Sequence, residues 1–308
     1  MRIIVIGMGV QGNKRYAVAG SDVISTVDPV WPGADFKAIQ DVPLESFDAA
    51  LCCIPDQPKF EIISYLLSNK KHVLIEKPLW VNEEKKIIEL EKLAIDNNVQ
   101  CYTAYNHRFE PHFKTMKSLI KSGDLGEIYR CRLFYGNGTA RLVRDSKWRD
   151  KGAGVLPDLG SHLLDTIQYW FGYPEGKFRI VSCSSFENNS LDHVVVGCEG
   201  SCPKIELEMT FLQWKNHFTC DIFAENGSGH IISLCKWGPS SLIIRKRTFP
   251  AGRPSETVET LVDDDPTWEL EYEYFCKLCL ENKPTDLRKD LWLSKNISNL
   301  SQEAMKTS

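Results

Sequence analysis

Two short stretches of the sequence put ionisable side chains where folding alone does not require them. The first is Glu76-Lys77-Pro78, which ends the apolar run His72-Val-Leu-Ile75. In an open parallel sheet, ligands bind outside the carboxyl ends of the strands. A lysine there can cap a surface, or it can donate to a substrate oxygen and ease the loss of a hydroxyl proton by its charge. The second is Gly152-Ala-Gly-Val-Leu-Pro-Asp158-Leu-Gly-Ser-His162-Leu-Leu-Asp165. On a helix Asp158 and His162 are four apart and share a face, and Asp165 follows three later. Leu159, Leu163, Ile167 and Trp170 form the opposite, packing face. An imidazole held by a carboxylate near a lysine is an acid/base arrangement suited to taking a hydroxyl proton as hydride leaves carbon. A helix-capping aspartate and an ordinary histidine are the plainer reading.

Such groups need a frame, and the first twelve residues set it. Arg2 to Ile6 is a run rich in β-branched residues that stops at Gly7-Met8-Gly9-Val10-Gln11-Gly12. In a Gly-x-Gly-x-x-Gly turn, Gly7 permits the bend, Gly9 lets the backbone approach a pyrophosphate, and Gly12 allows helix to pack closely on strand. The following helix points its unpaired N–H groups at the phosphates. It is expected to be short, because only Asn13 to Gly20 separate the turn from the next strand. That strand, Asp22 to Val27, ends at Asp28, whose carboxylate would reach the adenosine ribose and favour NAD over NADP. Pro29 follows, so Asp28 also suits a plain strand-end turn.

Strand and helix then alternate. Asp48 to Ile54 is a buried strand ended by Pro55-Asp56; Phe60, Ile63 and Leu67 mark a helix; Asn82 caps another with Ile87, Leu90 and Ala94 on one face. Val99 to Tyr105 reads as a strand, and Phe109, Phe113, Met116 and Ile120 as a helix stopped by Gly123. This predicts an α/β Rossmann domain, a doubly wound parallel sheet, over residues 1–122. Beyond it the period changes to two: Tyr129, Cys131, Leu133 and Tyr135 alternate with Arg130 and Arg132, and Ile205, Leu207 and Met209 with Glu206 and Glu208. Residues 123–308 are therefore expected to form an α+β domain with an open, mostly antiparallel sheet. Helices are expected near 157–171 and 267–280, with a helical C-terminus.

Of the 308 residues 43% are hydrophobic and the net charge is −4. The chain can bury a substantial core, and it lacks the basic field that nucleic acid or an anionic membrane would need. There is no apolar run of membrane-spanning length and no cleavable leader ahead of the first strand, which gives the expectation of a cytoplasmic protein. Eleven cysteines lie scattered through apolar runs, as reduced thiols would in that compartment; Cys276 and Cys279 fall in a helical run and suggest no metal.

Taken together, Gly7-x-Gly9-x-x-Gly12, the strand ending at Asp28, Glu76-Lys77-Pro78, Tyr105-Asn-His-Arg-Phe109, Gly123-x-x-Gly126 and Asp158-x-x-x-His162 resemble the Gfo/Idh/MocA oxidoreductases, the glucose-fructose oxidoreductase and inositol dehydrogenase relatives. The resemblance extends over the first 170 residues. It implies that Lys77 and His162 flank the substrate, with His162 as acid/base and Asp158 orienting it or joining a proton relay. It implies a cis Lys77-Pro78 bond. It also implies an NAD cofactor, with NADP the lesser fit, held by Gly7, Gly9, Val10, Gln11, Gly12, Asp28, Ile54, Pro55, Glu76, Lys77, Pro78 and Asn106. Asn106 and Arg108 would lie beside nicotinamide or substrate. Pro157 ahead of Asp158 is a departure from the family's usual pattern, as is the short first helix.

Trp148 with Arg141, Arg144 and Arg149 precedes the Asp158 stretch on an expected loop. An aromatic face with guanidinium groups suits a sugar, either plain or nucleotide-linked, so Arg144 and Trp148 join Lys77, Arg108 and His162 as candidate substrate residues; solvated loop arginines are the plainer reading. The reaction expected is hydride transfer between nicotinamide and a carbohydrate carbon. A dinucleotide-binding sensor that does not turn over is the alternative, as is an NAD-dependent lyase or glycosidase that returns the hydride. One-sided charge on the second sheet suggests a homo-oligomer.

Overall fold

The computed structural model describes residues 1–80, 83–146, 149–281 and 283–307, which form two compact units. The first comprises Met1–Asn106 with Thr267–Lys295, and the second His107–Pro266 with the chain from Asn296 on.

In the first unit, strands β1 (Ile3–Ile6), β2 (Val23–Val27), β3 (Ala49–Cys52), β4 (His72–Glu76) and β5 (Cys101–Ala104) form one parallel sheet in the order β2-β1-β3-β4-β5. Helices α1 (Val10–Ala19), α2 (Asp56–Ser68) and α3 (Glu84–Asp96) alternate with them. The strands are continuous apolar runs because both faces are buried. Ile4, Ile6, Ala50, Cys52, Val73 and Ile75 face a core with Ile63, Leu67, Ile87 and Leu90 from the helices. Ile3, Val5, Ala49, Leu51 and Leu74 face a second core, which Tyr272, Phe275 and Cys279 complete from the returning helix Thr267–Leu280. Strand order reverses between β1 and β3, so the crevice used by ligands of such sheets opens at their carboxyl ends.

The expected short first helix is in fact ten residues long, because it begins at Val10 inside the glycine turn. Asn82, expected to cap α3, lies outside the described residues.

In the second unit, α4 (Pro111–Ser122) is followed by β6 (Ile128–Gly136), α5 (Ala140–Arg144) and α6 (Ser161–Phe171). Strands β7 (Lys177–Ser184), β8 (His193–Glu199), β9 (Lys204–Thr210), β10 (His217–Ala224), β11 (Gly227–Ile232), β12 (Ser240–Thr248) and β13 (Gly252–Leu261) come next. They join β6 in an eight-stranded sheet of order β13-β12-β11-β10-β6-β9-β8-β7, antiparallel except where β6 meets β9. The period-two pattern is realised directly. Cys131, Leu133, Ile205, Leu207, Phe218 and Cys220 are buried, while Arg130 and Arg132 reach Glu206 and Glu208 on the open face. Phe113 of α4 packs on Phe218 and on Trp170 of α6, with ring centroids 5.2 Å apart in both pairs. Gly123 ends α4 in the left-handed conformation, φ 78°, which glycine adopts without penalty.

The units thus divide differently from the halves 1–122 and 123–308. α4 follows its aromatic face onto the second sheet, and the helix Thr267–Leu280 follows Phe275 back to the first. Among the described residues no helix is long and apolar enough to cross a membrane.

Candidate functional site

The first unit presents a cradle at the switch point. Gly7, at φ 87°, donates its N–H to Val27 O at 2.8 Å, and a side chain there would strike Cys53 O. A Cβ at Gly12 would lie 1.8 Å from Gly7 O, whereas one at Gly9 would meet nothing within 4 Å. The turn is therefore closed on its inner side and open at Gly9. Helix α1 has Gly9 as its N-cap, no side-chain cap and no acidic residue in its first turn, so nothing from its own first turn competes with an anion for the N–H groups of Val10, Gln11 and Gly12. Asn13 stiffens the turn by donating to Met8 O at 2.9 Å and Gly9 O at 3.0 Å.

Asp28 takes the strand-end turn role read from the sequence. Its Oδ2 accepts from Met8 N–H at 2.7 Å, tying the strand end to the glycine turn, and its Oδ1 accepts from Val30 and Trp31 N–H at 2.8 Å. Burial works to raise its pKa, but these three N–H groups outweigh it and hold the carboxyl below the usual range, so Asp28 presents a full negative charge. The end of β2 thus sets an ionised acceptor beside the open glycine turn.

Ile54 and Pro55 lie just after β3, where Pro55 caps α2, and Lys77 and Pro78 just after β4. The Lys77–Pro78 bond is cis. Glu76 is held by Arg15 of α1, whose Nε donates to Oε1 at 2.6 Å. Arg15 is buried, and its Nη2 also donates to the buried Glu271 at 2.7 Å. Behind the lysine, the buried ammonium of Lys59 donates to Pro78 O at 3.3 Å, Leu79 O at 3.1 Å and Asp56 Oδ1 at 2.5 Å. Asn106 donates to Thr267 Oγ1 at 2.8 Å.

The second unit gathers His162, His107, Tyr135 and Lys236. The imidazoles of His107 and His162 are stacked, centroids 4.0 Å apart and planes 20° from parallel. Tyr135, on the buried face of β6, is edge-on to His162 at 6.0 Å. Lys236 Nζ donates to the Tyr135 hydroxyl at 3.0 Å. Asp158 lies in a π-helical turn, Leu156–Gly160, ahead of α6, so the regular α-helical face expected for it and His162 is replaced by a wider turn. Its Oδ2 accepts from Arg149 Nη2 at 3.2 Å. Gly160 fits this turn because a Cβ would lie 2.8 Å from Met209 Sδ.

Arg108, expected beside substrate, is held by α6: Nε and Nη2 grip Asp165 at 2.8 Å each, and Nη2 reaches Gln168 Oε1 at 2.6 Å. The buried Asp165 needs that counter-charge. Arg144 ends α5 with its side chain exposed. Trp148 lies outside the described residues. His107, Tyr135, Lys236, Arg15 and Lys59 were not singled out from the sequence as site residues. Only His107 stood in a quoted motif, and each of the others finds its role through distant partners.

Two family models match the chain: the GFO/IDH/MocA C-terminal domain over residues 113–228, and the oxidoreductase family NAD-binding Rossmann fold over residues 27–105. Together they take in most of the sequence. The chain belongs to the Gfo/Idh/MocA family. This member is 32% identical over 135 residues to the glucose-6-phosphate 3-dehydrogenase of Bacillus subtilis, an alignment covering 41% of the chain and 38% of the relative. It is 27% identical over 202 residues to the trans-1,2-dihydrobenzene-1,2-diol dehydrogenase of Oryctolagus cuniculus, covering 63% and 58%. The chain thus spans about two fifths to three fifths of the length of these curated relatives. In fold it is similar to levoglucosan dehydrogenase in complex with NADH, with a TM-score of 0.83 at 17% identity over 99% of this chain and 97% of that one. The Rossmann family model begins at residue 27, downstream of the glycine turn, so the cradle rests on the geometry described above.

Proposed function

We propose that this protein is an NAD-dependent dehydrogenase or reductase that moves hydride between nicotinamide and a CH–OH carbon of a carbohydrate-like substrate. The observation that carries the reading is the cradle: an open Gly9, an uncapped helix N-terminus and, from the end of β2, the ionised Asp28 that accepts the Met8 N–H. Gly7, Gly9, Val10, Gln11 and Gly12 would hold the pyrophosphate and Asp28 the adenosine ribose. Ile54, Pro55, Glu76, Lys77, Pro78 and Asn106 would serve the remainder of the cofactor. The carboxylate of Asp28 would repel a 2′-phosphate, which favours NAD over NADP.

The nicotinamide supplies the hydride acceptor or donor. The chain's part is to bind the substrate, hold its reacting oxygen and move one proton. Lys77 would donate to that oxygen and ease its deprotonation. His162, assisted by Asp158, would exchange the proton. Arg144 and Trp148 remain proposed substrate residues. Support for a sugar or polyol comes from relatives named as glucose-6-phosphate and scyllo-inositol dehydrogenases, each matched over part of its length.

The test follows nicotinamide absorbance in both directions with NAD and NADP, across sugars, polyols and nucleotide sugars, with Lys77→Ala alongside. Turnover lost in the variant supports the reading; absence of NADH binding by the wild type sinks it. We propose further that the open face of the second sheet carries self-association, because Phe223 and Ile232 remain about half exposed there, and a monomeric sedimentation profile would remove that part.

A further inference from the structure

A buried tyrosine needs one partner for its hydroxyl, and a neutral donor is enough. In the second unit Tyr135, 4% exposed, has instead the ammonium of Lys236 at 3.0 Å, although burial works against a charge there. Lys236 belongs to the short turn Cys235–Trp237 and lies over the Trp237 ring, 4.6 Å from its centroid. The turn is fixed from α4's N-terminal side, where the buried Glu110 accepts the Cys235 N–H at 3.2 Å. Burial draws the lysine's pKa down, while the carboxylates of Glu110, Asp265 and Asp158 act to preserve its charge. A protected ammonium on a phenol oxygen stabilises that oxygen when its proton leaves.

The other side of the tyrosine faces the histidines. His162 is edge-on at 6.0 Å and His107 lies at 5.4 Å between centroids. Because His107 is stacked at 4.0 Å on His162, two imidazolium charges there would repel, and a proton arriving on His162 is better passed on than kept.

We propose that Tyr135 and Lys236 form a proton relay serving His162. This rests on the dehydrogenase reading above. In oxidation the substrate C–H bond breaks and its electron pair leaves with the hydride to nicotinamide, while the O–H bond breaks and its proton goes to one nitrogen of His162. The proton on the other His162 nitrogen passes to the Tyr135 phenolate, directly or through one water, and an O–H bond forms. Tyr135 then releases a proton to solvent and returns to the phenolate that Lys236 stabilises. The substrate loses two electrons and two protons, the nicotinamide gains the hydride, and one proton reaches solvent. Reduction runs the same steps backwards. Tyr135 and Lys236 act through His162, so they are positioning and relay residues.

The test needs no substrate. The whole chain is labelled with 13Cζ-tyrosine and titrated by NMR, with Tyr135→Phe to assign the resonance. The relay requires that Tyr135 ionise at lower pH than the exposed Tyr129, that Lys236→Met move its titration up by roughly one unit or more, and that Lys236→Arg restore it. It also requires His162→Asn to remove a step from the Tyr135 curve. A Tyr135 that titrates with or above Tyr129, or that ignores Lys236→Met, overturns the relay, as would a tyrosine that merely fills the core. Failure of the dehydrogenase reading is read separately, as loss of NADH binding in the wild type. With any substrate found by the absorbance panel, Tyr135→Phe is expected to lower kcat about 100-fold with KM nearly unchanged, and an unchanged kcat would overturn the relay.

Discussion

Arg15 donates its Nε–H to Glu76 at 2.6 Å, joining the helix that follows the glycine turn to the residue that precedes Lys77. The same guanidinium lies over the Trp268 ring at 4.3 Å and reaches Glu271, which is fully buried. Burial pushes the Glu271 carboxyl up, with the Arg15 charge opposing it.

Replacing Arg15 by Met is therefore expected to leave a buried carboxylate without its counter-charge and to lower stability by about 3–5 kcal/mol. A folded-state pKa raised above the unfolded one gives stability that is present below about pH 4.3 and lost as pH rises through the folded value. The deficit of the variant should accordingly widen from acid toward neutral pH. Urea denaturation at several pH values measures it, and adding Glu271→Leu should recover part of the loss. An Arg15→Met curve parallel to the wild type would contradict the account.

The two glycines of the turn should respond in opposite ways. Gly12→Ala would place a Cβ on Gly7 O and is expected to unfold the first unit or lower its melting temperature sharply. At Gly9 the backbone, φ −74° and ψ −165°, suits alanine and the space is open. Gly9→Ala should keep the melting temperature and weaken NADH binding by about tenfold or more, read by NADH fluorescence.

Lys59→Met would leave the carbonyls of Pro78 and Leu79 without their donor. At about 1–3 kcal/mol for a buried group left unpaired, a loss within that range is expected in urea. Any turnover that depends on Lys77 should fall with it. A variant as stable as the wild type would show that water replaces the ammonium without cost.

His72 accepts the Gln100 N–H on Nδ1 at 2.9 Å, which requires the neutral ring. Burial lowers its pKa, Asp48 opposes and Lys71 adds to the lowering. A depressed pKa gives stability that is present above about pH 6.5 and lost as pH falls through the folded value. His72→Asn, which keeps an acceptor and does not titrate, should flatten that part of the stability profile below neutrality. An identical acid limb in both proteins would remove His72 as its source.

What could be read from the sequence was what repeats locally. The β1 run, the glycine turn, the α3 face of Ile87, Leu90 and Ala94, and the alternation of Cys131 and Leu133 with Arg130 and Arg132 each declare themselves within ten residues, because burial imposes a period on the side chains. Asp28 and Glu76-Lys77-Pro78 were legible because a strand end fixes where they sit. Arg15 was not, since its partners are 61 and 256 positions away and a lone charge on a helix looks solvated. Lys236 and Tyr135 are likewise 101 residues apart. The grip of Arg108 on Asp165 could not be told from a substrate contact, because a guanidinium offers the same donors to a carboxylate of the chain as to an oxygen of a ligand.

The first unit takes its last core residues from the far end of the chain, with Phe275 and Tyr272 packing under Ile3 and Val5. During synthesis the parallel sheet therefore emerges with one apolar face covered only in part, by Met8 and by Ala19 of α1, and it must wait until some 170 further residues have left the ribosome before that face is completed. At about 5–20 residues per second the delay is on the order of ten seconds or more. Over that interval the nascent sheet is a natural client for a holding chaperone.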